Sequence, residues 1–191
     1  MNVALIGYGE VGRILAEDLR ECGIAVSAFD LKLDSAHGQP LREHAAAHGV
    51  VLGAAHAQAV HGAELVISAV TASQAVAVAE ACAPALRKGA FFLDFNSASP
   101  GAKCRAAEVV DGAGGRYVEG AVMTSVPPYR IRVPLLLGGP HGSAHRPPGD
   151  LRGNPQAQLP RHAPADAPAR GFPQPSRCRP GNPPAQTAIS H

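Results

Sequence analysis

A glycine turn set between a wholly apolar tetrapeptide and an amphipathic segment constrains this 191-residue chain more than any other feature. Val3-Ala4-Leu5-Ile6 lacks the alternation of a half-exposed strand and reads as a strand covered on both faces, as in a parallel sheet. Gly7-Tyr8-Gly9-Glu10-Val11-Gly12 follows at once. Val11, Ile14, Leu15, Leu19 and Cys22 then recur at helical spacing, with Glu17, Asp18, Arg20 and Glu21 mostly on the other side and Gly23 where a C-cap belongs. A bare GxGxxG is a weak signal; strand before and helix after make it a strong one. Gly7 permits the tight turn, Gly9 lets the backbone approach a pyrophosphate, and Gly12 lets helix and strand pack closely. The diphosphate then meets unpaired N–H groups at the positive end of the helix dipole.

The next segment completes the fingerprint. Ile24–Phe29 reads as the second strand and ends at Asp30, 18 residues after Gly12. A carboxylate there accepts hydrogen bonds from the adenosine ribose hydroxyls and repels a 2′-phosphate, which favours NAD over NADP. Lys32 pulls the other way, because a cation accommodates a phosphate. The plainer alternative is a structural turn beside a solvated strand end. The whole fingerprint favours the site, with Gly7, Tyr8, Gly9, Glu10, Val11, Gly12 and Asp30 as its cofactor-binding positions.

Strand-like and helix-like segments go on alternating to about residue 140. A helix is expected over Pro40–His48, ended by Gly49, then a short strand at Val50–Leu52 and a small helical turn at Ala55–Gly62. Leu65–Val70 is the fourth strand. Thr71 to Gln74 fits a capping box opening a helix to about Arg87. Phe91–Phe95 is the fifth strand, Ser99-Pro100 starts another helix, and Tyr117–Met123 and Leu135–Leu137 supply later strands. The expected fold is a doubly wound α/β domain with a mainly parallel Rossmann sheet over residues 1–140.

Composition breaks at the same place. Residues 141–191 hold eleven of the 18 prolines and four large apolar residues, Leu151, Leu159, Phe172 and Ile189. Such a segment cannot bury enough apolar surface to offset its ordering entropy, so a disordered C-terminal tail is expected. Six of 17 basic and two of 15 acidic residues lie there, giving the tail +4 and leaving the body at −2. The mild basicity therefore says nothing about the folded part, and without a basic stripe interleaved with aromatics a nucleic-acid partner is not expected. No apolar run approaches a bilayer span and no basic n-region precedes the first strand, so a membrane partner is not expected either. Cys22, Cys82, Cys104 and Cys178 form no CxxC pair, and the first three fall in predicted helices as buried free thiols. A reduced, soluble, cytoplasmic protein follows.

Residues 1–140 resemble the N-terminal domain of the β-hydroxyacid dehydrogenases, the group of 6-phosphogluconate and 3-hydroxyisobutyrate dehydrogenases. The matching segments are the Gly7–Gly12 loop, Val70-Thr71 with the helix after it, Asp94-Phe-Asn-Ser-Ala-Ser-Pro100, and Tyr117–Met123 leading to Pro134–Gly139. The resemblance implies an NAD(P)-dependent oxidoreductase that moves a hydride between nicotinamide and a small hydroxy acid or sugar acid. It implies that Val70 and Thr71 line the cofactor near its middle, and that Asn96 and Ser97 contact the nicotinamide side and the small-molecule substrate. Turn chemistry is the competing explanation for Asn96 and Ser97, and the preferred one for Ser99-Pro100.

Two departures stand out. Met123-Thr124-Ser125 occupies the place of the substrate loop that many relatives build from Ser-Gly-Gly, so the substrate does not carry over. The lysine that these enzymes place on a helical C-terminal domain has no counterpart, since Lys32, Lys88 and Lys103 are the only lysines and none has a matching context. The catalytic residue is thus unassigned, and without a proton-transfer group the hydride step lacks its partner. Relatives dimerise through that domain, so a monomer or an aggregation-prone chain is expected. Residues from about 142 read as an out-of-frame translation of GC-rich DNA, the alternative being a natural tail; resequencing the locus, with peptides from the tail, decides. A non-catalytic NAD(H)-binding module or gene remnant is the second functional reading.

The remaining signals are weaker. His44 and His48 lie four apart on a predicted helix, with His56 and His61 downstream, but no carboxylate or cysteine joins them at a recognised spacing. They read as a solvated helix face, and no metal is expected. Arg130 and Arg132 flank the Val126–Tyr129 loop and are candidates to grip a substrate carboxylate or phosphate. Glu119 is a candidate catalytic acid or a strand-end surface charge, and reads as the latter.

Overall fold

In the computed structural model the described residues are 1–142, and they form one seven-stranded sheet with helices on both faces. The expectations about the tail's disorder and origin lie outside them, apart from residues 141 and 142.

Strand β1 (Asn2–Ile6) is central and buried from Val3 onward, as its unbroken apolar run requires. Helix α1 (Glu10–Glu21) follows and leads to β2 (Ala25–Phe29), α2 (Gly38–His48) and the short β3 (Val51–Leu52). The chain then crosses back through α3 (His56–Val60) to β4 (Leu65–Ser68) on the other side of β1. Helix α4 (Ala75–Cys82), β5 (Phe91–Asp94), α5 (Pro100–Gly112) and β6 (Arg116–Val122) continue outward. A short α6 (Val126–Tyr129) precedes the edge strand β7 (Leu135–Gly138). Strand order is β3-β2-β1-β4-β5-β6-β7, parallel throughout except that β7 runs antiparallel to β6. Helices α1 and α2 pack together, and α3 packs with α4 and α4 with α5. Right-handed crossovers that wind in opposite directions from β1 put these two groups on opposite faces.

Helix α1 ends as the glycine at residue 23 foretells. The Ile24 amide donates to the Leu19 carbonyl at 3.0 Å and the Gly23 amide to the Arg20 carbonyl at 2.9 Å, a Schellman closure. Helix α5 starts on Ser99, whose side chain accepts from the Ala102 amide at 3.4 Å, with Pro100 in its first turn.

Four expectations need correction. Thr71 closes no capping box: its hydroxyl lies 3.3 Å from that of Ser73, and a 3-10 turn (Ala72–Gln74) precedes α4. The helix also stops at Cys82 rather than near Arg87, because Pro84 has no N–H to give and its ring crowds the preceding turn. Of the thiols, Cys82 is buried and pushed up to about 12 by that burial, but Cys22 caps α1 from the surface and is exposed. The segment read as a loop at Val126–Tyr129 is the turn of helix α6.

Tight packing of the first crossover depends on two glycines. Gly7 sits at φ +94°, and a Cβ there would press on the Ala69 carbonyl. A Cβ on Gly12 would drive into the carbonyl oxygen of Gly7, which is backbone and has nowhere to go. Gly12→Ala is therefore expected to cost about 1–3 kcal/mol of stability, the range for overpacking a well-packed interior. Urea unfolding of the two proteins measures it; equal midpoints would contradict the close approach.

Candidate functional site

The winding reverses at β1, and ligands of open α/β sheets bind beyond the strand ends at such a point. A cleft of about 380 Å³ lies there, lined by Gly7, Gly9, Glu10, Val11, Asp30, Val70 and Thr71. These seven sequence candidates converge on one space. Phe29, Leu31, His56 and Gln74 also line it and were not singled out as cofactor residues. His56 is 26 residues from Asp30, and only the return of α3 along β1 and β2 brings its ring onto Phe29, with centroids 4.4 Å apart. Burial holds the His56 imidazole below its ordinary pKa, so it meets the cleft as a neutral ring.

The floor of the cleft is the start of α1. Gly9 is the N-cap and no side chain caps it, so the first-turn N–H groups lack intrahelical acceptors. A Cβ built on Gly9 meets nothing within 4 Å, so the backbone stands open to a ligand. Asp30 is fixed against this turn: its Oδ2 accepts from the Tyr8 amide at 2.8 Å and its Oδ1 from the Lys32 amide at 2.8 Å. Each oxygen retains lone-pair capacity for a further donor.

Other candidates stand behind the cleft rather than in it. The Tyr8 side chain is fully buried, its hydroxyl 2.9 Å from His44 Nδ1, and desolvation pushes the phenol up to about 12. Gly12 is the packing contact already described. Asn96 is 4% exposed, accepts from the Val70 amide through Oδ1 at 2.7 Å and donates from Nδ2 to Ser68 Oγ at 3.0 Å. It thereby fixes the turn that carries Val70 and Thr71. Ser97 is exposed just beyond it, and neither lines the cleft. Met123, Thr124 and Ser125 are exposed beyond the end of β6, two strands away from β4.

Beneath Asn96 lies a buried ionic group. Asp94 Oδ1 accepts from the Asn96 amide at 2.8 Å, and Oδ2 from the Tyr117 hydroxyl at 2.6 Å. Lys103, 7% exposed, sits with its Nζ 3.2 Å from Asp94 Oδ2 and donates to the Asp94 carbonyl at 3.2 Å. Burial, followed by the hydrogen bond to Asp94, raises the Tyr117 phenol far above its usual range and keeps it protonated. Glu119 reaches 4.0 Å from Lys103 Nζ and so faces this group rather than being a free surface charge. Every buried side-chain polar atom among the described residues has a partner.

Two further readings change on the opposite face. Arg130 grips no substrate group in this arrangement. Its guanidinium donates to Asp18 Oδ1 and Glu17 Oε2, each at 2.7 Å, and the Ile131 amide donates to Asp18 Oδ2 at 2.9 Å. These bonds dock the turn after α6 onto α1 and hold Arg130 at φ +54°, a backbone state costly for a side-chain-bearing residue. Nor is His44 on a solvated face: its Nε2 is 2.9 Å from Glu17 Oε1. The carboxylate that seemed missing beside the histidines lies 27 residues upstream on α1, a pairing that helical spacing within α2 could not reveal.

Fold, glycine turn and aimed carboxylate define a dinucleotide-binding domain of the Rossmann type. The family model for the NAD binding domain of 6-phosphogluconate dehydrogenase matches residues 2–140, and the chain belongs to that family. No curated protein matches it. Among solved structures, a conserved hypothetical protein from Sinorhizobium meliloti 1021 is 37% identical at a TM-score of 0.69, over 74% of this chain and 48% of that one. Conserved protein MTH1747, described as structurally similar to 3-hydroxyacid dehydrogenases, is 27% identical at 0.62, over 74% and 51%. A Mycobacterium tuberculosis 3-hydroxyisobutyrate dehydrogenase with L-serine shares the fold at 22% identity and 0.64, over 72% and 46%. The chain spans about half the length of these proteins. Among the described residues no helix is long and apolar enough to cross a membrane.

Two outcomes follow. Lys103→Ala leaves the Asp94 carboxylate buried without its cation and is expected to cost about 3–5 kcal/mol, read from chemical unfolding; a loss under about 1 kcal/mol would mean that Asp94 does not need its partner. Glu17 is held below the ordinary carboxylate range, first by the hydrogen bond to His44 and then by that to Arg130. A depressed folded pKa gives stability that is present above the unfolded value and lost as pH falls through the folded one. Glu17→Gln should thus be less stable at neutral pH, by about 1 kcal/mol after solvent screening, and the two curves should converge towards acid. Curves that stay parallel would remove Glu17 from the acid response.

Proposed function

We propose that this chain supplies the cofactor-binding half of an oxidoreductase that moves a hydride between NAD and a small hydroxy acid or sugar acid. The observation that carries the reading is the tie between Asp30 and the glycine turn, which aims a carboxylate into the same cleft as the uncapped start of α1. The nicotinamide, when bound, accepts or gives the hydride. The chain's own part is to bind and orient. Amides of the first turn of α1 receive the diphosphate, and Asp30 accepts the ribose hydroxyls. Asn96, acting through Val70, holds the rim over which the cofactor's middle passes. The described similarity of a 27% identical structure to 3-hydroxyacid dehydrogenases supports the substrate class.

The preference for NAD rests on charge. Asp30 is fixed by two backbone donors, whereas the Lys32 side chain is exposed and loses most of its attraction to solvent. Two like charges about 4 Å apart near a protein surface repel by roughly 4 kcal/mol, so even a fraction of that exceeds the 1.4 kcal/mol of a tenfold preference. Among the described residues no buried lysine lines the cleft. Lys103 is the one buried lysine among the described residues, and Asp94 holds it. This favours, as a second reading, a chain that binds the dinucleotide and does not turn over by itself.

Calorimetric titration of the full chain tests both. NAD is expected to bind about tenfold or more tightly than NADP, and Asp30→Ala to weaken NAD and erase the difference. A preference for NADP would overturn the role given to Asp30. Assays with a panel of 3-hydroxy acids then separate the readings: NADH formation supports an active enzyme, and binding without turnover supports the module.

A further inference from the structure

We propose that Glu17, His44 and His48 form a site for a divalent transition-metal ion, zinc in particular, that staples α1 to α2 outside the nucleotide cleft. One ligand atom from each side chain lies within 4.8 Å of the others. His44 and His48 occupy i and i+4 of α2, so both rings rise from one helix face, with centroids 4.4 Å apart and planes 25° from parallel. Glu17 of α1 faces them, its Oε1 2.9 Å from His44 Nε2. Two imidazoles and a carboxylate are a donor set that zinc accepts, and the exposure of His48 leaves a fourth position to water.

The surroundings resemble those of a prepared site. Metal-bound histidines are usually oriented through their second ring nitrogen, and carboxylate ligands through their second oxygen. Here the buried Tyr8 hydroxyl is 2.9 Å from His44 Nδ1, and Arg130 holds Glu17 Oε2 at 2.7 Å.

Binding needs a defined proton arrangement. His44 must be neutral, with its hydrogen on Nδ1 donated to the Tyr8 oxygen, so that the Nε2 lone pair faces the ion. The single contact between Nε2 and Oε1 is then replaced by one metal bond to each, with no net proton released when both imidazoles start neutral. Acid competes for the ligand nitrogens, so affinity falls as pH is lowered.

Zinc sulfate titrated calorimetrically into the full chain is the test, with His48→Ala as the variant and His61→Ala as the control. Arg20 bonds the carbonyl of His48 and not its ring, so the substitution leaves that contact in place. His48→Ala is expected to lose about tenfold or more in affinity, a range that even an outer-shell partner commands, while His61→Ala keeps it. On the unsubstituted protein, imidazole NMR signals of His44 and His48 should shift together as zinc is added. Equal zinc binding by the parent and His48→Ala would overturn the proposal, as would signals of both rings that stay in place at a large excess of zinc.

Discussion

The hydrogen bond from the Tyr8 amide to Asp30 is the constraint on which the rest of the site depends. It joins the turn after β1 to the end of β2, so the glycine loop's shape and the carboxylate's direction are one variable rather than two. Gly7 and Gly12 make this possible by letting backbone press on backbone where a side chain would intervene. The Tyr8 ring, driven inward by the same turn, anchors the loop from behind through His44. A dipole end and an anion are thus held at fixed separation before any ligand arrives, and that preorganisation lowers the cost of binding.

The second organising element lies under the strand ends. Ser68, Asp94, Asn96, Lys103 and Tyr117 come from β4, β5, the segment after it, α5 and β6, and they share one buried network. In a low-dielectric interior such a network is costly when any member is missing and rigid when all are present. Its outward reach is the bond from Asn96 to the Val70 amide, which turns interior polarity into a fixed cleft rim.

How much of this was legible depends on distance along the chain. Strands β1, β4 and β5 announced themselves as apolar runs, and the glycine turn, α1 and Asp30 lie within one βαβ unit, where spacing is informative. The capping pattern at Thr71 predicts a longer helix than the one that forms, and Pro84 supplies the physical reason for its early end. The pairings of Glu17 with His44 and of Arg130 with Asp18 span 27 and 112 residues. No local periodicity encodes them; they exist only once α1, α2 and the turn after α6 are docked. Lys103 is the sharpest case: as a string it is a lysine on an amphipathic helix, and only the crossing of α5 over β5 places its ammonium on a buried carboxylate.

That placement also bears on where the chemistry of proton transfer has to reside. A general base must give up its ground-state partners as it takes a proton, and its pKa must lie near the working pH. Lys103 fails the first condition, since freeing it would strand Asp94 in the interior at a cost of about 3–5 kcal/mol. Tyr117 is bound by the same carboxylate and stays protonated far above the physiological range. The residues of this network therefore hold the cleft rim in shape, and they are committed by the bonds that make them effective.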